Sequence, residues 1–342
     1  MSRQFDAMIG VGGIGTGSFF ALNGNHTLGR EESRTGHYLD RRDYCKLHII
    51  SHYVKTLLGP EFRAIPVGKV GDDDPGRRLL DEMSEAGLDL THVEKAEGKP
   101  TLFSYCFIYP DGSGGNMTTD DSACGEVDAA YIRRVEPDVW RYGSRGIALA
   151  VPEVAIDARA ELLQFSAKYD LFSVASFTCE EIPEARDRGL FAMINLLAVN
   201  IDEVAILGAP VATPAPNPTK IIESAITEAQ KLNPKMLLII TAGGNGSWSW
   251  DGSTLRHIPA FPVEVIGTSG AGDAHLSGVI AGLADELPFP EAHRLGALVG
   301  ALSVTSPHTI NKDINRRSLL ELSKTLNIDI SPELKLFLEA EG

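Results

Sequence analysis

The sequence predicts an α/β protein with a central, mainly parallel sheet flanked by helices. Short apolar, strand-like runs alternate along the chain with longer helix-like stretches, which is the rhythm of repeated strand and crossover units. The 342 residues suffice to bury a large core, and no internal repeat or long low-complexity tract breaks the pattern.

Phe5 to Ile9 reads as the first strand. It runs into Gly10-Val11-Gly12-Gly13-Ile14-Gly15, which satisfies the dinucleotide fingerprint Gly-x-Gly-x-x-Gly. A working fingerprint opens an apolar helix and leads to a second strand ending in an acid. Here Asn23-Gly24-Asn25-His26 interrupts any helix and residues 29 to 46 are strongly polar, which argues against an NAD-dependent oxidoreductase. Asp72-Asp73-Asp74 opens a helical stretch reaching Ala86; acids favour that end of a helix dipole, so the triplet reads as a helix start rather than a metal site. Leu102 to Tyr109 is β-rich and ends in the turn signal Pro110-Asp111-Gly112. Strand-like runs at Gly146 to Val151, Leu171 to Ala175, Leu196 to Val199 and Leu237 to Thr241 then alternate with helix-like ones. The helix-like stretches are Pro152 to Tyr169, Pro218 to Lys231, Pro290 to Val304 and Arg316 to Leu326. Thr213 to Pro218 is a short proline-rich connection.

The most chemically specific segment is Ile266 to Gly282. Leu276, Val279, Ile280 and Leu283 recur at helical spacing, while Ala274, Gly278 and Gly282 form a second ridge of small residues that permits close packing. Gly270 and Gly272 leave the preceding turn free of Cβ crowding, so backbone N–H groups can converge on an anion at the helix N-terminus. Asp273 lies at the edge of that site. A carboxylate there either caps the helix or accepts the proton of an attacking hydroxyl.

This segment resembles the second signature of the ribokinase (PfkB) family of carbohydrate kinases, Asp-Thr-x-Gly-Ala-Gly-Asp. Two further segments agree in type and order. Asn200-Ile201-Asp202-Glu203 is similar to the family's Asn-x-x-Glu, and Thr241-Ala242-Gly243-Gly244-Asn245-Gly246 resembles its Thr-x-Gly-x-x-Gly nucleotide loop. Read without the resemblance, the first is equally an ordinary helix cap and the second an ordinary turn. Gly71 to Gly76 and Ala86-Gly87-Leu88-Asp89 fit the same outline.

The resemblance implies a ribokinase-like fold, with a core from residues 1–15, 49–98 and 121–342. A small discontinuous β-sheet lid would come from 16–48 and 99–120, covering the acceptor and mediating a homodimer. It implies an ATP-dependent kinase that phosphorylates an alcohol group of a small sugar or nucleoside. In that reading the Gly270, Ala271 and Gly272 amides form the anion hole and Asp273 is the catalytic base. Thr241, Gly243, Gly246 and Thr268 hold the nucleotide, and Asn200 and Glu203 hold Mg2+ and its waters through the hard oxygen donors that ion favours.

Some positions depart from the family pattern. Gly267 stands where the family usually has an aspartate that helps organise a monovalent-cation site, which leaves potassium dependence open. The aspartate that commonly follows the first strand and grips sugar hydroxyls is absent; Thr16, Gly17 and Ser18 occupy that region. The Gly-Gly-x-x-x-Asn motif is replaced by Tyr44 to His52. The acceptor is then bound differently from ribose or fructose, or its site has decayed, leaving a catalytically inactive nucleotide- or sugar-binding protein as the alternative. Asn23, Asn25, Asp40 and His52 are polar candidates for replacement contacts, though each also suits an ordinary surface position. His308, Thr309 and Asn311 fall where the family's base-binding loop lies, without matching it.

Composition narrows the partners. With 31 Lys and Arg against 46 Asp and Glu the net charge is −15, and no basic stretch suggests nucleic-acid binding. Cys45, Cys106, Cys124 and Cys179 show no metal-type spacing and suit reduced thiols in a cytoplasmic protein. No apolar stretch approaches a membrane span.

Overall fold

The computed structural model describes residues 3–111, 114–208 and 218–340. Its strands are β1 (Ala7–Val11), β2 (Gly15–Leu22), β3 (Gly36–Tyr44), β4 (Arg63–Gly71), β5 (His92–Ala96), β6 (Leu102–Ile108) and β7 (Gly114–Thr118). They continue as β8 (Gly146–Ala150), β9 (Phe172–Ala175), β10 (Leu196–Asn200), β11 (Leu237–Thr241), β12 (Ser247–Trp250) and β13 (Leu255–Ile258). The helices are α1 (Lys46–Leu58), α2 (Asp74–Glu85), α3 (Ala129–Arg133), α4 (Glu136–Tyr142), α5 (Ile156–Tyr169) and α6 (Glu181–Asp187). Then follow α7 (Ile201–Leu207), α8 (Pro218–Leu232), α9 (Ala271–Ala284), α10 (Phe289–Ser303), α11 (Arg316–Thr325) and α12 (Pro332–Glu339).

Nine strands form the large sheet in the order β13-β12-β11-β10-β9-β8-β1-β4-β5, parallel except at the β12 and β13 edge. Every residue of β1 and β8 is buried, because helices cover both faces. Met8 and Leu149 point into a core shared with α1, α9 and α10, while Ile9 and Ala148 point into a second core with α3, α5 and α8. This is the α/β architecture read from the alternating pattern. Helix α5 begins at Ile156 rather than near Pro152, since Glu153 adopts a positive φ of 77° that a helix cannot continue through. The small-residue ridge of α9 meets α10. A Cβ on Gly278 would lie 2.7 Å from the Cα of Gly296, and one on Gly282 would lie 2.8 Å from that of Ala292.

A separate four-stranded sheet has the order β3-β2-β6-β7. The chain turns from β1 directly into β2 of this sheet, so Gly10 to Gly15 opens no helix and the dinucleotide fingerprint lacks its phosphate-binding partner. The segment from 16 to 48 supplies most of β2, all of β3 and the first turn of α1. Residues 213–217 of the proline-rich connection and Gly112 of the turn after β6 lie outside the described residues. No described helix is long and apolar enough to cross a membrane.

Candidate active site

Helix α9 starts as its glycines dictate. Gly270 is in the left-handed conformation at φ 78° and no side chain caps the helix. The Ala271 N–H donates to the Thr268 carbonyl at 3.2 Å. The Gly270 and Gly272 amides have no acceptor among the described residues, so of the three expected anion-hole donors Ala271 is already engaged and two stay open. Asp273 occupies the first turn, its side chain 15 % exposed.

The helix mouth borders a cavity of about 510 Å³, within the usual size for small-molecule sites. Thr241, Gly243, Gly246 and Thr268 all line it, as do Asn200, Glu203 and Asp273. The loop after β11 abuts the helix mouth, since a Cβ on Gly272 would lie 3.6 Å from Thr241 Oγ1. Gly246 has φ 86°, and a Cβ there would fall 2.1 Å from the Ile258 carbonyl oxygen, so this turn accepts only glycine. The lining also includes the apolar side chains of Phe261, Val263, Ala297 and Val304.

Asn200 and Glu203 cap α7 reciprocally. Asn200 Oδ1 accepts from the Asp202 and Glu203 amides at 2.9 Å each, and Glu203 Oε2 accepts from the Asn200 amide at 2.8 Å. The structure shows the helix cap, a capping box whose two residues also line the cavity. Burial raises the Glu203 pKa, with Lys46 opposing that shift.

Lys46 is the residue the motifs did not reveal. It is the first residue of α1, 32 % exposed, and its Nζ lies 3.2 Å from Asp273 Oδ1. Attraction by Asp273, then by Glu153 and Glu203, raises its pKa against the cost of burial, so it stays charged. A signal was present in the sequence. A cation at an uncapped helix N-terminus with no acid in the first turn is electrostatically misplaced unless an anion faces it.

Glu153 was also missed. Its Oε2 accepts from the Lys46 amide at 3.4 Å, and burial pushes its carboxyl up to about 7 from an ordinary 4.5, with Lys46 opposing. The folded state thus holds this proton more tightly than the unfolded chain does. The stability it contributes is complete below about pH 4.5 and is lost as pH rises through about 7. Glu153→Gln never ionises, so its Tm relative to the wild type should climb between about pH 5 and pH 8, reaching a gain of about 2 °C or more. Parallel melting curves across that range would refute the assignment.

The other polar candidates lie elsewhere. Asn23 donates to Thr35 Oγ1 at 3.0 Å and Asn25 accepts from the Asp111 amide at 3.0 Å, both exposed, and Asp40 is exposed on β3. His52 packs edge-on against His48 and Tyr53, and burial lowers its pKa to about 4. His308 Nδ1 accepts from the Arg42 amide at 3.0 Å, Thr309 N donates to the Arg42 carbonyl at 3.1 Å, and Thr309 Oγ1 accepts from the Tyr44 amide at 3.0 Å. These residues pin β3 to the loop after α10. At Gly267, a Cβ would lie 3.3 Å from the Ser306 carbonyl oxygen and 3.7 Å from Arg41 Nη1, so a guanidinium stands beside the position that lacks the acid.

The chain resembles known carbohydrate kinases. Fructoselysine 6-kinase of Shigella flexneri is 25% identical over 250 residues, covering 69% of this chain and 80% of that protein. Ribokinase of Schizosaccharomyces pombe is 24% identical over 267 residues, covering 77% and 79%. Among solved structures, ribokinase from Cryptococcus neoformans var. grubii serotype A in complex with ADP superposes with a TM-score of 0.77 at 17% identity, covering 94% of this chain and 100% of that one. The fold is thus ribokinase-like. The pfkB family carbohydrate kinase profile matches residues 54–316, taking in both the Thr241 to Gly246 loop and the mouth of α9, and the chain belongs to that family of carbohydrate kinases.

Proposed function

We propose that the protein transfers the γ-phosphate of ATP to an alcohol group of a small sugar-like or nucleoside acceptor, with Asp273 as general base. The observation that carries this reading is the Lys46 and Asp273 pair at the mouth of α9, beside two unclaimed amides and a cavity lined in part by apolar side chains. ATP fits with its base among Phe261, Ala297 and Val304, its triphosphate running past Thr241, Gly243, Gly246 and Thr268 toward α9. The Gly270 and Gly272 amides then donate to the transferred phosphoryl group, aided by the helix dipole. Asp273 accepts the proton of the acceptor hydroxyl while that oxygen bonds to phosphorus and the bond to the bridging oxygen of ADP breaks. Lys46 supplies fixed positive charge to the same space.

Asn200 and Glu203 suit Mg2+ held largely through its own waters. Asn200 Oδ1 already accepts two amides, whereas Glu203 Oε1 lies outside the capping bond. When bound, the ion would neutralise phosphate charge. An ATP-consumption assay over D-ribose, D-fructose, inosine and gluconate tests the whole reading. ADP and a phosphomonoester are expected with at least one acceptor, and ATP but not NAD should raise Tm.

The small sheet is assigned as the lid and as the surface of a homodimer. Its outer face carries Tyr38, Tyr105 and Met117 at 71 %, 51 % and 60 % exposure, with Phe20 edge-on to Tyr38. Large exposed apolar patches mark association sites. Tyr105→Glu should therefore turn a dimer into a monomer in light scattering; a wild-type monomer overturns the assembly. A cytoplasmic setting, where ATP is at hand, goes with this activity.

A further inference from the structure

One partly buried carboxylate of the small sheet, near enough to Asp273 to feel its charge, has no part in the transfer step. Asp43 lies on β3 opposite Gly17 of β2, and the ladder slips between Gly17 and Phe19, the kind of irregularity that re-aims side chains. A Cβ on Gly17 would sit 2.6 Å from the Ser104 carbonyl oxygen and 2.7 Å from Asp43 Oδ2, so the bare backbone of β2 leaves the room that the Asp43 carboxyl fills. That face of the sheet turns inward, since the neighbouring Ser104 and Cys106 of β6 are buried.

Asp43 is poorly satisfied for a structural acid. The Cys106 thiol, a weak donor, reaches Oδ2 at 3.4 Å, and the Tyr44 backbone assists. No cation acts on it; the charge that registers is that of Asp273, which is negative. A partly buried carboxylate of this kind keeps lone pairs for a ligand. Burial foremost pushes its pKa up to about 6.

We propose that Asp43 is a specificity residue that binds acceptor hydroxyl groups, and that the acceptor is a polyol carrying no anionic group. The proposal rests on the kinase reading above. It accounts for the missing acid after the first strand, because the carboxylate reaches the cleft from β3 instead of β2. It also follows from local charge. Asp273, Glu153 and Glu203 act on the Lys46 ammonium and Asp273 acts on Asp43, so these four acids outnumber the nearby cations Lys46 and Arg78, whose guanidinium donates to Thr16 Oγ1 at 3.0 Å. A phosphate or carboxylate on the acceptor would meet net repulsion there.

Steady-state kinetics on the full-length protein test this, with D-ribose, D-fructose, inosine, gluconate and ribose 5-phosphate as probes. The wild type should phosphorylate an uncharged probe in preference to gluconate and ribose 5-phosphate. Asp43→Asn should raise KM for that probe about ten- to a hundredfold, the loss expected for a hydrogen bond to a charged group. Its kcat and its KM for ATP should stay within about threefold of the wild type. Asp43→Ser carries the same expectation and serves if the asparagine variant melts early. Unchanged acceptor KM in an active, folded variant overturns the role of Asp43 while the kinase reading stands. Preference for an anionic probe overturns the acceptor class. Failure of the wild type to phosphorylate any probe overturns the kinase reading and this proposal with it.

Discussion

Asp273→Asn is expected to lower kcat by at least about a hundredfold while ATP binding persists. The asparagine keeps the shape of the side chain and an oxygen toward Lys46, so the helix mouth should hold its form. What disappears is the carboxylate proposed as proton acceptor. The substitution also removes the largest influence raising the Lys46 pKa, leaving that ammonium with Glu153 and Glu203 as partners. Single-turnover measurements with ATP and an accepted probe read the chemical step directly, and the ATP-induced rise in Tm reads binding. Retained turnover would remove Asp273 from the base role. Loss of both turnover and ATP binding would instead mark it as a structural cap.

Lys46→Met should cost about a hundred- to a thousandfold in kcat, the range for removing one preorganised donor from developing charge. Methionine keeps the unbranched stem and good helix propensity, so α1 should persist. Because the Lys46 pKa is raised, the native ammonium is charged at every pH where the enzyme is folded, and the defect of the variant should not shrink on acidification. Lys46→Arg is expected to rescue only in part, since a planar fork replaces a compact point charge 3.2 Å from a carboxylate. A variant with near-normal kcat would show that Lys46 serves only to hold Asp273.

The fold was legible wherever the burial period was long enough to read. Helix α9 announced both its apolar stripe and its ridge of small residues, and the ridge proved to be the seam against Gly296 and Ala292 of α10. The residues around the helix mouth were hidden for a physical reason. Lys46, Glu153 and Asp43 sit at or near the ends of α1, β8 and β3, and meet only because three distant segments converge on one point. Sequence spacing carries no trace of such a meeting, and only the charge of Lys46 at the start of α1 hints at it. The strained backbone of Glu153 had no local mark either, since Pro152 before it signals a turn without saying which way the acid will point.

Thr309 touches both halves of the machine. Its hydroxyl holds the Tyr44 amide on β3, and its Cβ lies 3.1 Å from where a side chain on Gly270 would begin. An inward movement of β3 would therefore press on the turn whose amides are proposed to bind phosphate. Acceptor and nucleotide occupancy would then share a free-energy term, and reciprocity would require that each ligand change the affinity for the other by the same factor.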